Sequence, residues 1–88
     1  MEYTRQTDVV GPMDLQQRFA RNLRAAREAK DLTQEDLAYQ AGLDRTYISA
    51  LERGRYHASL KVIEKIAGVL QLDPADLLRK DDEATRNE

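Results

Sequence analysis

The sequence predicts an all-α chain of five short helices closed around one small core. Three observations carry this prediction. Apolar residues recur at spacings of three and four. A capping residue stands ahead of each such stretch, at Asp14, Thr33, Asp44, Ser59 and Asp73. No stretch alternates apolar and polar residues with the period of two that a half-buried strand needs.

The first helix is placed at Leu15 to Ala29. Asp14 with Gln17 has the spacing of a capping box, and Leu15, Phe19, Leu23 and Ala26 then share one face. Thr33 with Asp36 marks a second start, and Gln34 and Glu35 lie in the first turn, where an acidic side chain favours the helix dipole. Leu37, Ala38 and Ala41 give this helix its apolar face, and Tyr39 is expected to pack at its edge. Gly42 ends it, because a backbone turning sharply out of a helix commonly needs positive φ. Asp44 caps a third helix that carries Ile48 and Leu51 inward and stops at Gly54. Ser59 opens a fourth, with Leu60, Ile63, Ile66, Ala67 and Leu70 as its buried stripe. Asp73-Pro74, a cap followed by proline at the first helical position, predicts a short fifth helix through Leu78.

Residues 1–13 show no sustained period and end in Gly11-Pro12, which reads as a flexible N-terminal arm. Residues 80–88 are charged and poor in apolar side chains, and read as a disordered tail. Residues 14–79 then form the single folded domain, a size at which the core buries only a modest fraction of the surface. With no cysteine there is neither a disulfide framework nor a thiolate metal site, and the lone histidine, His57, has no partner for a histidine cluster. No cofactor, metal or small-molecule ligand is expected. No apolar run approaches the roughly 20 residues that span a bilayer, and the N-terminus lacks a secretory layout, so a cytoplasmic protein without membrane contact is expected.

The formal net charge is −2, which on its face argues against a nucleic-acid binder. The charge is unevenly spread. Residues 14–61 hold nine Lys or Arg against seven Asp or Glu, and the remainder holds five against nine, so the acidity lies mostly outside the second and third helices.

Two helices joined by a tight glycine-containing turn cannot lie antiparallel, and this layout props the second of them outward, where it can enter a DNA major groove. With Leu37, Ala38, Ile48 and Leu51 turned inward, the outward side of the third helix is Arg45, Thr46, Ser49, Ala50 and Arg53. Arg45 has the fork that reads guanine O6 and N7, Thr46 offers a hydroxyl and a methyl, and Tyr47 and Ser49 complete the expected base contacts. Phosphate contacts should flank them, because such contacts fix register without reading sequence. Thr33 and Gln34 are placed to offer a backbone N–H and a side-chain amide to one strand, and Arg53, Arg55, Tyr56 and His57 to clamp the other.

The stretch LTQEDLAYQAGLDRTYISALERG, residues 32–54, resembles the helix-turn-helix of the phage Cro and repressor family, the XRE-like regulators. It has Gln at the head of the second helix, Ala in its middle, Gly in the turn and Leu-Glu-x-Gly at the close of the third. By pattern of elements the resemblance extends from Leu15 to Leu78, and it implies a lambda-repressor-like DNA-binding domain. Within the family, DLAYQAGLDRTYISALER looks most like the controller proteins of restriction-modification systems, small dimers that regulate their own operon and the endonuclease gene. The resemblance implies base contacts at Arg45, Thr46 and Ser49, phosphate contacts at Gln34 and Arg53, and a structural ion pair between Arg27 and Glu52. One departure is Tyr56, where the closer controllers often carry a basic residue.

One or two of Leu72, Leu77 and Leu78 are needed to close the core, but a fifth helix this short is not expected to bury all three within one chain, so these leucines, with Val69 at the end of the fourth helix, predict a symmetric homodimer interface. The functional reading is a dimeric, sequence-specific transcriptional regulator on a near-palindromic double-stranded DNA operator. The rival is an antitoxin-like or coactivator-like protein-interaction module of the same fold, which the low net charge favours. No nucleophile, base and orienting group stand at plausible spacing, so an enzyme is not expected.

Overall fold

A computed structural model describes residues 14–80. Among these residues the only regular elements are helical: α1 (Leu15–Ala29), α2 (Gln34–Ala41), α3 (Arg45–Glu52), α4 (Leu60–Leu70) and a 3₁₀ helix (Pro74–Leu78). The arm over residues 1–13 and, apart from Lys80, the tail over 80–88 lie outside the described residues.

Each element begins where a short polar side chain can satisfy an orphan amide. Asp14 accepts from the Gln17 amide and Ser59 from that of Val62. Thr33 and Asp36 form a full capping box, side chain to backbone in both directions. The two Thr33 hydrogen bonds, backbone first, hold the Asp36 carboxyl below the ordinary carboxylate range. Asp44 caps α3 by accepting from the Thr46 amide, and Asp73 accepts from that of Ala75. Between α2 and α3, Gly42 sits in the left-handed region at φ 70° and the Leu43 amide reaches back to the Ala38 carbonyl, so the chain reverses within three residues.

These turns stack α1 on α3 and the 3₁₀ helix, α2 on α3 and α4, and α4 on the 3₁₀ helix. The core runs through all five elements: Phe19 and Leu23, Leu37 and Ala38, Ile48 and Leu51, Ile63, Ile66, Ala67 and Leu70, and Leu77. Seven of the large side chains, Leu23, Leu37, Ile48, Leu51, Ile66, Leu70 and Leu77, are fully buried.

The last element differs from its expected form. It is a 3₁₀ helix of five residues rather than a fifth α-helix, closed by an i to i+3 bond from the Asp76 amide to the Asp73 carbonyl. Its final carbonyls are held from α1: Asn22 Nδ2 donates to the Leu77 and Arg79 oxygens at 3.0 and 2.7 Å, and Arg18 Nη1 donates to the Leu78 oxygen at 3.0 Å. A segment this short, with its carbonyls drawn sideways, cannot propagate an α-helical ladder.

Four placements also differ from the sequence reading. Leu77, expected at a dimer face, is fully buried within the chain and has no surface to offer a partner. Leu60, expected in the buried stripe of α4, is 83% exposed, because it is the first residue of its helix. Tyr39 is 86% exposed: Leu37 and Ala38 fill the inward arc of α2, and the next position turns away from it. Ala50 is buried rather than outward, where the returning chain bonds the Arg55 amide to its carbonyl at 2.9 Å.

Candidate nucleic-acid interface

The candidate site is built on α3, whose two sides differ sharply. Ile48, Ala50 and Leu51 are buried, and Tyr47 is half-buried against the core. Arg45, Thr46 and Arg53 are exposed, with Ser49 half-buried between them. Ser49 and Arg53 lie four and eight residues after Arg45, so the three share one side of the helix. Arg53 Nη1 donates to the Ser49 hydroxyl, which ties the two together in the free chain.

The angle of α3 is set from beneath by a charged cluster. Arg27 Nε and Nη2 donate to Glu52 Oε2 and Oε1 at 2.6 and 3.0 Å, a two-pronged pair between α1 and α3. Its side chains are only 11% and 3% exposed. The Glu52 hydrogen bond, opposed by burial, raises the Arg27 guanidinium above its ordinary value. Arg27 Nη1 also donates to the Leu32 carbonyl at 2.7 Å, which fixes the chain just ahead of α2. Gln34 Nε2, at the first position of α2, donates to Glu52 Oε1 at 3.0 Å. One carboxylate therefore joins α1, α2 and α3.

These contacts revise the expected phosphate ligands. The Thr33 backbone N–H is directed to the Asp36 carboxylate at 3.0 Å, so it is not available to an anion as the sequence reading supposed. One of the two donors of the Gln34 amide is committed to Glu52, and the amide carries a second. On the far side of α3, Gly54 at φ 71° turns the chain, and Gln16 Nε2 donates to its carbonyl at 2.6 Å. Beyond that turn Arg55, Tyr56 and His57 are exposed, and the Tyr56 ring stands 6.0 Å from that of Tyr47. Gln16, the Gln34–Glu52 bond and the ring pair were missed in the sequence. Each joins residues 9 to 38 positions apart that carry no shared local pattern.

The arrangement is a short, capped helix held at a fixed angle, with a polar side and basic residues at both ends. A model of the helix-turn-helix family matches residues 23–77, and the chain belongs to that family, in its XRE-type branch. Among relatives, it is 48% identical over 65 residues to a hypothetical transcription factor of Neisseria meningitidis, a match covering 74% of this chain and 61% of that protein. It is 46% identical over 61 residues to the control protein C.BamHI of Bacillus amyloliquefaciens, covering 68% and 75%. Among solved structures it is similar to a restriction-modification controller protein crystallised as a tetramer with its natural 35 base-pair operator. There the TM-score is 0.67 and the identity 36%, over 72% of this chain and 83% of that one.

Among the described residues no helix is long and apolar enough to cross a membrane. Among the same residues no group of three or more His, Cys, Asp or Glu side chains is placed to hold a metal ion.

Proposed function

We propose that this protein is a cytoplasmic, dimeric transcriptional regulator that reads a near-palindromic DNA operator with α3. The observation that carries this reading is the two-sided α3, with Ile48 and Leu51 locked in the core while Arg45 and Thr46 stand exposed at its capped N-terminus. Base edges are read by such side chains at the start of an inserted helix. Arg45, Thr46, Tyr47 and Ser49 are assigned to bases, and Gln34, Arg53, Arg55, Tyr56 and His57 to phosphates. Val69, Leu72 and Leu78, half-buried at the edge of the core, are assigned to the dimer face. The likeness to C.BamHI and to the operator-bound controller supports control of a restriction-modification operon as the setting.

Selection from random duplexes by the purified chain tests the reading. The expected product is a paired motif whose half-site centres lie about one helical turn, ~34 Å, apart. Recovery of no reproducible sequence would favour the rival that the −2 net charge supports, a module of the same fold that works through a protein partner.

A further inference from the structure

We infer that Tyr56 is a positioning residue for base discrimination, acting through the ring of Tyr47. The two rings lie with centroids 6.0 Å apart and planes inclined by 35°, within the range of favourable aromatic contact. Tyr47 occupies the first turn of α3, between Thr46 and the core-locked Ile48, and is itself half-buried against the core. One side of its ring is thus held by the domain interior and another by Tyr56.

Tyr56 does not belong to α3, yet its place is tightly set. The chain leaves α3 through Gly54 in the left-handed region, the Gly54 and Arg55 amides bond back to the Leu51 and Ala50 carbonyls, and the Gly54 carbonyl is tied to Gln16 of α1. Every one of these contacts lies within two residues of Tyr56. The loop is thereby tied back to α3 and α1 on the residues just ahead of Tyr56, whose ring, though the residue is 55% exposed, stands beside that of Tyr47.

A tyrosine that must be ordered at the moment of binding loses side-chain freedom there, and that loss falls equally on right and wrong sequences. A ring already held in one orientation presents a fixed edge, and a wrong base then meets a mismatch that it cannot accommodate by rotating the side chain. Tyr56 thus sharpens the preference at the position that Tyr47 faces, through its ring rather than through its hydroxyl. The inference rests on the reading that α3 enters the major groove.

The test uses the full chain and its Y56L, Y56F, Y47L and Y47L/Y56L variants, with two readouts. One is the base preference of each variant in a pool of random duplexes. The other is the coupling between the two positions in the DNA-free protein, from denaturant unfolding of the same variants. The expected result is that Y56F keeps the parent's relative preference among bases, with any loss of its phosphate contact falling on all duplexes alike, while Y56L loses about 3- to 10-fold in discrimination at one position per half-site and keeps the rest. The double variant should discriminate no worse there than Y47L alone. Y56L keeping the parent's preference at every position, Y56F losing discrimination as Y56L does, or additive losses of discrimination in the double variant would each overturn the inference. A parent chain that selects no sequence, with the ring coupling still present in unfolding, would instead remove the operator reading, and the inference with it.

Discussion

Glu52 receives two hydrogen bonds from the Arg27 guanidinium, at 2.6 and 3.0 Å, across the contact of α3 with α1. Both side chains are nearly sealed from water, so the attraction is largely offset by lost hydration, and the pair does more to fix geometry than to add stability. Removing one member is a different matter, because the other is left charged and unpaired.

R27A and E52A should each destabilise the chain by about 3–5 kcal/mol, read as a shift in the denaturant midpoint. Joint replacement by Met at 27 and Leu at 52 should recover most of that loss. The apolar pair also removes the anchor of Gln34, so its affinity for an operator should fall while its stability returns. Recovery of both together would show that the cluster does not orient the interface.

Arg45 is the first residue of α3 and its side chain is exposed. R45A is expected to lose ~1–3 kcal/mol of operator binding and to relax the preference at one position per half-site, with unfolding unchanged. Gln34 differs, because its amide bridges α2 to Glu52. Q34A should weaken binding to all duplexes alike, with a small loss of stability from the broken hydrogen bond. Mobility-shift titrations on the selected site and on single-base variants separate the two patterns.

What could be read from the chain followed the range over which each signal acts. Asp44 and Gly42 act within a few residues, through a cap and a left-handed turn, and the α3 start they imply is where the structure has it. Leu60 fits the periodicity of the buried stripe yet is exposed, because periodicity counts positions along a helix and does not register that the first residue stands at its open end. The bonds that set the site come from side chains far apart in sequence: Gln16 to Gly54, Gln34 to Glu52 and Asn22 to the 3₁₀ carbonyls. An amide side chain looks the same in a sequence whether it faces water or a carbonyl 55 residues away. Arg27 with Glu52 was legible only through the family resemblance.

Two glycines with open space around them give opposite expectations. A Cβ added at Gly42 or Gly68 meets nothing within 4 Å, so neither substitution is limited by packing. Gly42 holds φ 70°, where an L-residue costs roughly 1–2 kcal/mol, and G42A should lose that amount and loosen the α2 to α3 turn. Gly68 lies inside α4, where glycine is poorer than alanine by about 1 kcal/mol, and G68A should raise stability by that much. Thermal unfolding of the two variants beside the parent gives the signs directly.

Asn22 is the side chain on which the C-terminal end of the fold turns. Its amide reaches both the Leu77 and Arg79 carbonyls, and Leu78, assigned to the dimer face, lies between them. N22A leaves two carbonyls without this donor and keeps the buried Leu77 contact. The loss should be about 1–3 kcal/mol. The damage is local, so hydrogen exchange should quicken around residues 74–79 while the amides of α2 and α3 keep their protection. If Leu78 joins Val69 and Leu72 in the contact between two chains, sedimentation should show N22A dissociating at higher concentration than the parent. L72D, which attacks the same face directly, should do so more strongly without speeding exchange in the 3₁₀ helix. An N22A chain that exchanges faster there yet associates like the parent would place the dimer contact elsewhere and remove Leu78 from it.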